Sequence, residues 1–198
     1  MRPLSKKSPP KKLESQRLIL RKLAPKLAVT MFEYVDKDRK RLEKFLPWTP
    51  HIKSVKDELA FINTTAAAWK DFKNFDFGIF RKEDSLYMGN IGVHSISWKN
   101  HSCEIGYWIL GDFEGYGYMS EAVRCLESAL FQIGFNRIQI RCSTINRRSA
   151  NVPKACAYRH EGTLRQDGID LGKFRDTDVF SKLRSEWKPK GMLRSRRK

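Results

Sequence analysis

The chain has 198 residues, a net charge of +17 and a hydrophobic share of 40% that includes 12 Phe and 5 Trp, enough for one well-packed domain and short for two. No apolar run is long enough for a membrane span, and no apolar segment follows the basic start as a secretory signal would. Cys103, Cys125, Cys142 and Cys156 are isolated, without a C-x-x-C pair, and read as reduced thiols of a cytoplasmic protein rather than as a disulfide or zinc framework.

The charge is concentrated at the ends. Arg2, Lys6, Lys7, Lys11 and Lys12 open the chain, and Lys188, Lys190, Arg194, Arg196, Arg197 and Lys198 close it, with no acid in residues 1–12 or 188–198. The organisation expected is a basic disordered arm over 1–14, one folded domain over 15–187 and a basic disordered tail over 188–198. Such ends attract polyanions, either RNA or an acidic protein, or serve as solubility tails.

In chain order, Arg17–Arg21 alternates charge with apolar bulk and reads as a first strand. Pro25 opens a helical region with Leu27, Met31, Tyr34 and Val35 on one face, followed by a charged run from Asp36 to Lys44. The prolines at 47 and 50 forbid regular structure, and Phe45, Leu46 and Trp48 are too apolar for water, so this loop is expected to cover a pocket or the core. Ser54 reads as the N-cap of a helix reaching about Phe72, with Asp57 and Glu58 favouring its first turn. Phe75–Arg81 and Leu86–Trp98 read as a hairpin across a charged turn, with Gly89 and Gly92 marking a bulge or a close backbone neighbour.

The stretch from Glu104 to Glu121 organises the chain. A strand through Glu104–Leu110 breaks at Gly111 and Asp112, Gly115 and Gly117 make a bare turn, and Met119, Ala122, Val123, Leu126, Leu130 and Ile133 recur at helical spacing. A glycine turn at a helix N-terminus offers unpaired N–H donors and partial positive charge, a site suited to a pyrophosphate; a simple tight turn needs the same glycines. Neither a P-loop lysine nor a G-x-G-x-x-G spacing is present. Arg137–Ser143 reads as a strand running parallel to the Glu104 strand after the helical crossover, and a splay between them would admit an extended ligand. Ser149 reads as the N-cap of a short helix, with Pro153 in or just past its first turn. Tyr158–Arg165 and Phe174–Leu183 read as a closing hairpin.

Together, Glu104-Ile-Gly-Tyr-Trp-Ile, Gly115-x-Gly117-Tyr-Met-x-Glu121-Ala, Asn146-x-x-Ser149 and Glu161-Gly-Thr-Leu-Arg165 resemble the GNAT acyltransferases, in particular the RimJ/RimL-type ribosomal-protein N-acetyltransferases, from Arg17 to Trp187. The resemblance implies an α+β (α/β) fold: a twisted, mixed, mostly antiparallel sheet of about seven strands flanked by helices and split between strands 4 and 5, with acetyl-CoA in the split. It places the Ile109 and Leu110 backbone along the pantetheine arm, the N–H groups of Gly115, Tyr116, Gly117 and Tyr118 on the pyrophosphate, Asn146 on the cofactor and Ser149 near the thioester sulfur. Asp112 departs from the Gln or Arg often found there and puts a negative charge near a phosphate. Ala157-Tyr158 stands where Gly-Phe is usual.

Acetyl transfer to an amine needs a base, an oxyanion donor and a proton for the departing thiolate. Glu104 is the candidate base, or else an exposed strand-end charge; Ser149 is the candidate acid, or else a helix cap; a backbone N–H of Tyr107–Ile109 would meet the oxyanion. Arg147 and Arg148 are candidates for phosphate contact. His51, His94, His101 and His160 lack metal-ligand spacing, so no metal is expected. The resemblance points to a protein N-terminal α-amino group as acceptor, plausibly on a ribosomal protein, with the enzyme a monomer or homodimer. A small amine, an aminoacyl-tRNA, or an inactive scaffold that binds RNA or the ribosome are the competing readings.

Overall fold

The structure, a computed structural model, describes residues 3–170 and 172–188. Their eight strands form one sheet in the order β1-β2-β3-β4-β5-β6-β8-β7. Strands β1 (Lys12–Glu14), β2 (Leu18–Lys22), β3 (Phe75–Arg81), β4 (Tyr87–Ser97) and β5 (Ser102–Ile109) run antiparallel to their neighbours. Helix α4 (Tyr118–Ile133) then carries the chain over to β6 (Arg137–Ser143), which lies parallel to β5. Strands β7 (Arg159–Asp170) and β8 (Lys173–Leu183) close the sheet as an antiparallel hairpin, with β8 against β6.

The split falls between the fifth and sixth strands rather than the fourth and fifth, because β1 adds an N-terminal edge strand that sequence patterning did not reveal. This corrects the expectation of a disordered arm over 1–14. The Leu4 N–H donates to the Trp98 carbonyl at 2.9 Å, Pro9 is buried, and Leu4 and Leu13 pack against the main core. The expected tail lies outside the described residues from position 189 on. The final hairpin is also longer than its alternation suggested, with strands running to a turn around Gly172.

Two cores lie against the sheet. The larger joins Phe75, Phe77, Val93, Ile105 and Ile138 of the strands to Ala122, Val123, Leu126 and Leu130, the apolar stripe of α4. Full burial of each such side chain contributes roughly 1.5–3 kcal/mol, so α4 is held by its stripe rather than by helix propensity. The smaller core joins Leu23, Ala28 and Met31 of the first helical region, Ile62 of α3 (Val55–Lys70) and Tyr87. Within that region α1 spans Ala28–Lys37 and α2 spans Arg39–Leu42. Ser54 stands at the N-cap of α3 without capping it: its hydroxyl donates to Asp57 Oδ2 at 2.9 Å, and the same carboxylate accepts the Lys53 N–H.

Candidate active site

The paired part of β5 and β6 is short. Ser102, Cys103 and Glu104 face Arg137, Ile138 and Gln139, and beyond Glu104 the two strands share no further bridges. On its other side β5 stays bound to β4 as far as Ile109, and the Leu110 N–H donates to Met88 O at 2.9 Å. Alternation along an antiparallel strand therefore turns the peptide groups of Tyr107 and Ile109 toward the opening.

This geometry corrects two expectations. The Leu110 N–H is not free for a ligand in the split, because Met88 holds it, and the Leu110 carbonyl already accepts the Phe113 N–H at 3.0 Å. The Ile109 carbonyl already accepts Arg41 Nη2 at 2.7 Å, which leaves the N–H as the group Ile109 can present. Arg41 also bonds Asp38 and reaches Glu114 at 2.6 Å, and Asp38 accepts the Gly111 N–H at 2.9 Å. The Asp38–Arg41 pair thus ties α2 to the end of β5, a role hidden in sequence inside an ordinary charged run.

The glycine turn has the conformation its composition implies. Gly115 and Gly117 adopt φ of +85° and +76°, and a Cβ at Gly115 would meet nothing within 4 Å. They are therefore required by backbone conformation rather than by packing. Gly117 is the N-cap of α4 and no side chain caps that end. Tyr118 and Met119, in the first turn behind it, carry N–H groups that the helix itself cannot satisfy. Arg17 flanks the turn, donating to Tyr116 O at 3.1 Å, stacking 4.5 Å from the Tyr118 ring centroid and pairing with Glu121 at 2.7 Å. Asp112 is drawn to Lys37 at 3.2 Å, which offsets its charge near the anion site. Arg148 forms an ion pair with Glu114 just before the turn.

Helix α5 (Arg147–Ala155) starts three positions earlier than a Ser149 cap would require. Asn146 is the N-cap, its Oδ1 accepting the Ser149 N–H at 3.1 Å. Ser149 is therefore relieved of the capping role expected for it, and the Asn146 side chain keeps its NH2 group for a ligand. Pro153 stands deep in the helix rather than in its first turn. Having no N–H, it leaves the Ser149 carbonyl without its i+4 donor. The Tyr107 hydroxyl fills that vacancy at 3.0 Å, and its oxygen also lies 3.5 Å from Ser149 Oγ. Burial pushes the Tyr107 hydroxyl well above its usual range, so it stays a donor. Burial likewise pushes the Cys142 thiol up to about 11, with Asp178 adding to the rise and a Ser149 hydrogen bond opposing it.

Ser149, Cys142, Asn146 and Glu104 line one cavity of about 650 Å3. Its floor is a row across three strands: Asp76 faces Gly92 and Gly92 faces Gly106, so two missing side chains open the sheet surface beside Glu104. A Cβ at Gly92 would lie 2.4 Å from Asp76 Oδ1 and one at Gly106 would lie 2.8 Å from His94 Nε2. The loop at 45–52 covers the cavity as its composition implied, placing Phe45, Leu46 and Trp48 in the wall, with the Trp48 and Trp108 rings 5.8 Å apart.

Two acids that sequence reasoning did not select also face this space. Glu58 is only 2% exposed and its Oε1 has no hydrogen-bond partner; burial, reinforced by Asp57 and opposed by Arg39, pushes its carboxyl up to about 7. Asp76 Oδ2 is also unpartnered, and burial pushes that carboxyl up to about 6. The available signal was positional. Glu58 shares the helical stripe of Val55, Ile62, Thr65 and Trp69, and Asp76 lies between Phe75 and Phe77 where alternation turns it to the opposite face. Among the described residues no three His, Cys, Asp or Glu side chains gather as a metal site, and no helix is long and apolar enough to cross a membrane.

Comparison with known proteins agrees with this architecture. The acetyltransferase (GNAT) domain profile matches residues 17–159. The ribosomal-protein-serine acetyltransferase of Escherichia coli (strain K12) is 26% identical over 170 residues, covering 85% of this chain and 94% of that one. YdaF of Bacillus subtilis (strain 168), provisionally named a ribosomal N-acetyltransferase, is 29% identical over 179 residues, covering 87% and 94%. Among solved structures, RimL, a ribosomal α-N-protein acetyltransferase in complex with coenzyme A, superposes with a TM-score of 0.83 at 21% identity, covering 87% of this chain and 97% of that one.

Proposed function

Because the chain belongs to the GNAT family and is an acetyl-CoA-dependent N-acetyltransferase, we propose that its acceptor is the α-amino group of a protein N-terminus, on a ribosomal protein. The relatives named for ribosomal acetylation support the acceptor class. The observation that carries the reading is the cavity beside the split, which both Glu104 and Ser149 line and which has room for a chain terminus.

The residues present fit acetyl-CoA. The N–H groups of Gly115, Tyr116, Gly117 and Tyr118 would take the pyrophosphate, a role supported by the left-handed glycines and the uncapped start of α4, the Ile109 N–H would serve the pantetheine arm, and the Asn146 amide, which lines the cavity, would hold the cofactor. When bound, acetyl-CoA supplies a thioester carbon to the acceptor amine. Glu104 takes the proton of that amine, directly or through a water. A backbone N–H of the Tyr107–Ile109 segment holds the carbonyl oxygen as charge develops on it. The Ser149 hydroxyl donates to the departing sulfur, and Tyr107 fixes its position through the Ser149 carbonyl.

The exposed Lys6, Lys7 and Lys11, with the basic residues after 188, favour approach to an anionic surface such as a ribosome in the cytoplasm. A small amine is the second reading, favoured by the carboxyls of Glu58 and Asp76 inside an otherwise basic chain. Incubating the purified chain with acetyl-CoA and ribosomal-protein N-terminal peptides, with mass-spectrometric readout, tests the acceptor. Acetylation at the α-amine is expected, and acetylation of small amines but of no peptide would overturn the protein acceptor.

A further inference from the structure

The cavity is lined by two acids that each keep one buried carboxyl oxygen without a hydrogen-bond donor. Glu58 Oε1 and Asp76 Oδ2 are buried and unpartnered, and both residues line the cavity. The neighbouring groups that could satisfy Glu58 are committed elsewhere. Arg39 gives its Nη1 and Nη2 to the carbonyls of Thr49 and Ile52, each at 2.7 Å, and the Tyr87 hydroxyl donates to Asn90 Oδ1 at 2.9 Å. Leaving a buried acid without a donor is costly, and a fold keeps such a group where a ligand supplies what is missing.

The walls identify the donor. The Trp48 and Trp108 rings stand 5.8 Å apart and, with Phe45 and Phe61, line the same cavity as Glu58 and Asp76. Aromatic faces beside carboxylates favour an ammonium over a neutral hydroxyl, since the cation gains from both. Arg141 and Arg175 lie on the β6–β8 side of the cavity, where Arg141 pairs with Asp167, while no Lys or Arg among the lining residues comes from α3 or β3, which carry Glu58 and Asp76.

The geometry points to a cation subsite formed by Glu58 and Asp76 and walled by Trp48 and Trp108. It takes a second amino group of the acceptor, distinct from the amine that is acetylated. The inference rests on the reading of the cavity as the acceptor site. For a protein acceptor the subsite selects a lysine within the first few residues of the terminus.

The test compares peptides carrying lysine or norleucine at position 1, 2 or 3, and 1,5-diaminopentane against pentylamine, using the full chain and the Glu58→Gln/Asp76→Asn double variant. Lysine is expected to raise kcat/KM at least tenfold over norleucine at one position, and this ratio is expected to fall to within twofold in the double variant. Absence of a lysine preference at every position, or a preference that survives in the double variant, overturns the subsite. Peptide acetylation without the preference leaves the protein-acceptor reading standing. A diamine preference that depends on Glu58 and Asp76, with no peptide acetylated, removes the protein acceptor and keeps the subsite. Tryptophan fluorescence of the unmodified chain adds a measurement independent of variant folding: saturable quenching by 1,5-diaminopentane and not by the neutral 1-pentanol is expected, and equal responses would overturn the proposal.

Discussion

Replacing Tyr107 with Phe removes one oxygen and exposes the consequence of a proline placed inside α5. The Ser149 carbonyl has the Tyr107 hydroxyl at 3.0 Å, and Pro153 cannot provide the helical N–H that would otherwise serve it. A part-buried carbonyl stripped of its donor costs about 1–3 kcal/mol, so Tyr107→Phe should destabilise the fold by that amount in urea unfolding. Turnover should fall as well, because Ser149 loses the anchor of its own peptide group. The cause is separable from lost packing by restoring the donor from the helix. Pro153→Ala returns an N–H four residues after Ser149, and combined with Tyr107→Phe it should recover at least about 1 kcal/mol more than it does in the parent chain. Measuring all four chains cancels the gain in unfolded-state entropy that the Pro153→Ala change itself brings. A loss below about 0.5 kcal/mol in Tyr107→Phe, or no extra recovery in the double variant, would refute the reasoning.

Ser149→Ala should lower acetyl transfer at least tenfold while acetyl-CoA affinity, read by isothermal titration, stays within about twofold; equal turnover would remove this hydroxyl from the chemistry. Asp76 should impose a pH slope on stability. Its folded carboxyl is raised to about 6 by burial, so between the unfolded value near 3.8 and that point the unfolded chain releases a proton the folded chain retains. Stability therefore declines as pH rises through that window, by on the order of 3 kcal/mol if the whole shift is realised. Glu58, raised to about 7 by burial with Asp57 adding to it, acts with the same sign. Asp76→Asn should accordingly be more stable than the parent at pH 8 and gain nothing at pH 4, as measured by paired thermal melts; equal effects at both pH values would contradict the assignment.

Much of the fold was legible because it depends on local patterning. The stripe Met119, Ala122, Val123, Leu126 and Leu130 located α4 to within a residue, and strand alternation located β3 through β6. The N-terminal edge strand was not legible. Lys12–Glu14 has little apolar periodicity, and its partners in β2 supply the order that its own sequence lacks.

The site was read in part. Glycines in the left-handed region announce themselves, so the turn at Gly115 and Gly117 could be placed before any coordinates. Backbone partners have no signature of that kind: that Leu110 gives its N–H to Met88, and that Arg41 reaches the Ile109 carbonyl, follows from register and from a side chain 68 residues away. The Ser149 cap was misplaced by three residues because Asn146 and Ser149 are both good cap residues, and only the path of the chain after β6 decides between them. Glu58 was read as a first-turn acid favoured by the helix dipole, which is correct locally; its burial beside a cavity that the 45–52 loop also lines is a tertiary feature that no pattern in α3 reveals.

Acetyl transfer by this chain requires that main-chain N–H groups at the start of α4 hold the diphosphate of acetyl-CoA while its acyl arm lies between β5 and β6. Isothermal titration of the full chain with acetyl-CoA, repeated with Gly117→Val, tests this most directly, because the added side chain strains the left-handed backbone and stands in front of those amides. The expected result is micromolar or tighter binding by the parent chain and at least a tenfold loss in the variant; no binding by the parent, or equal affinity in both, would contradict it.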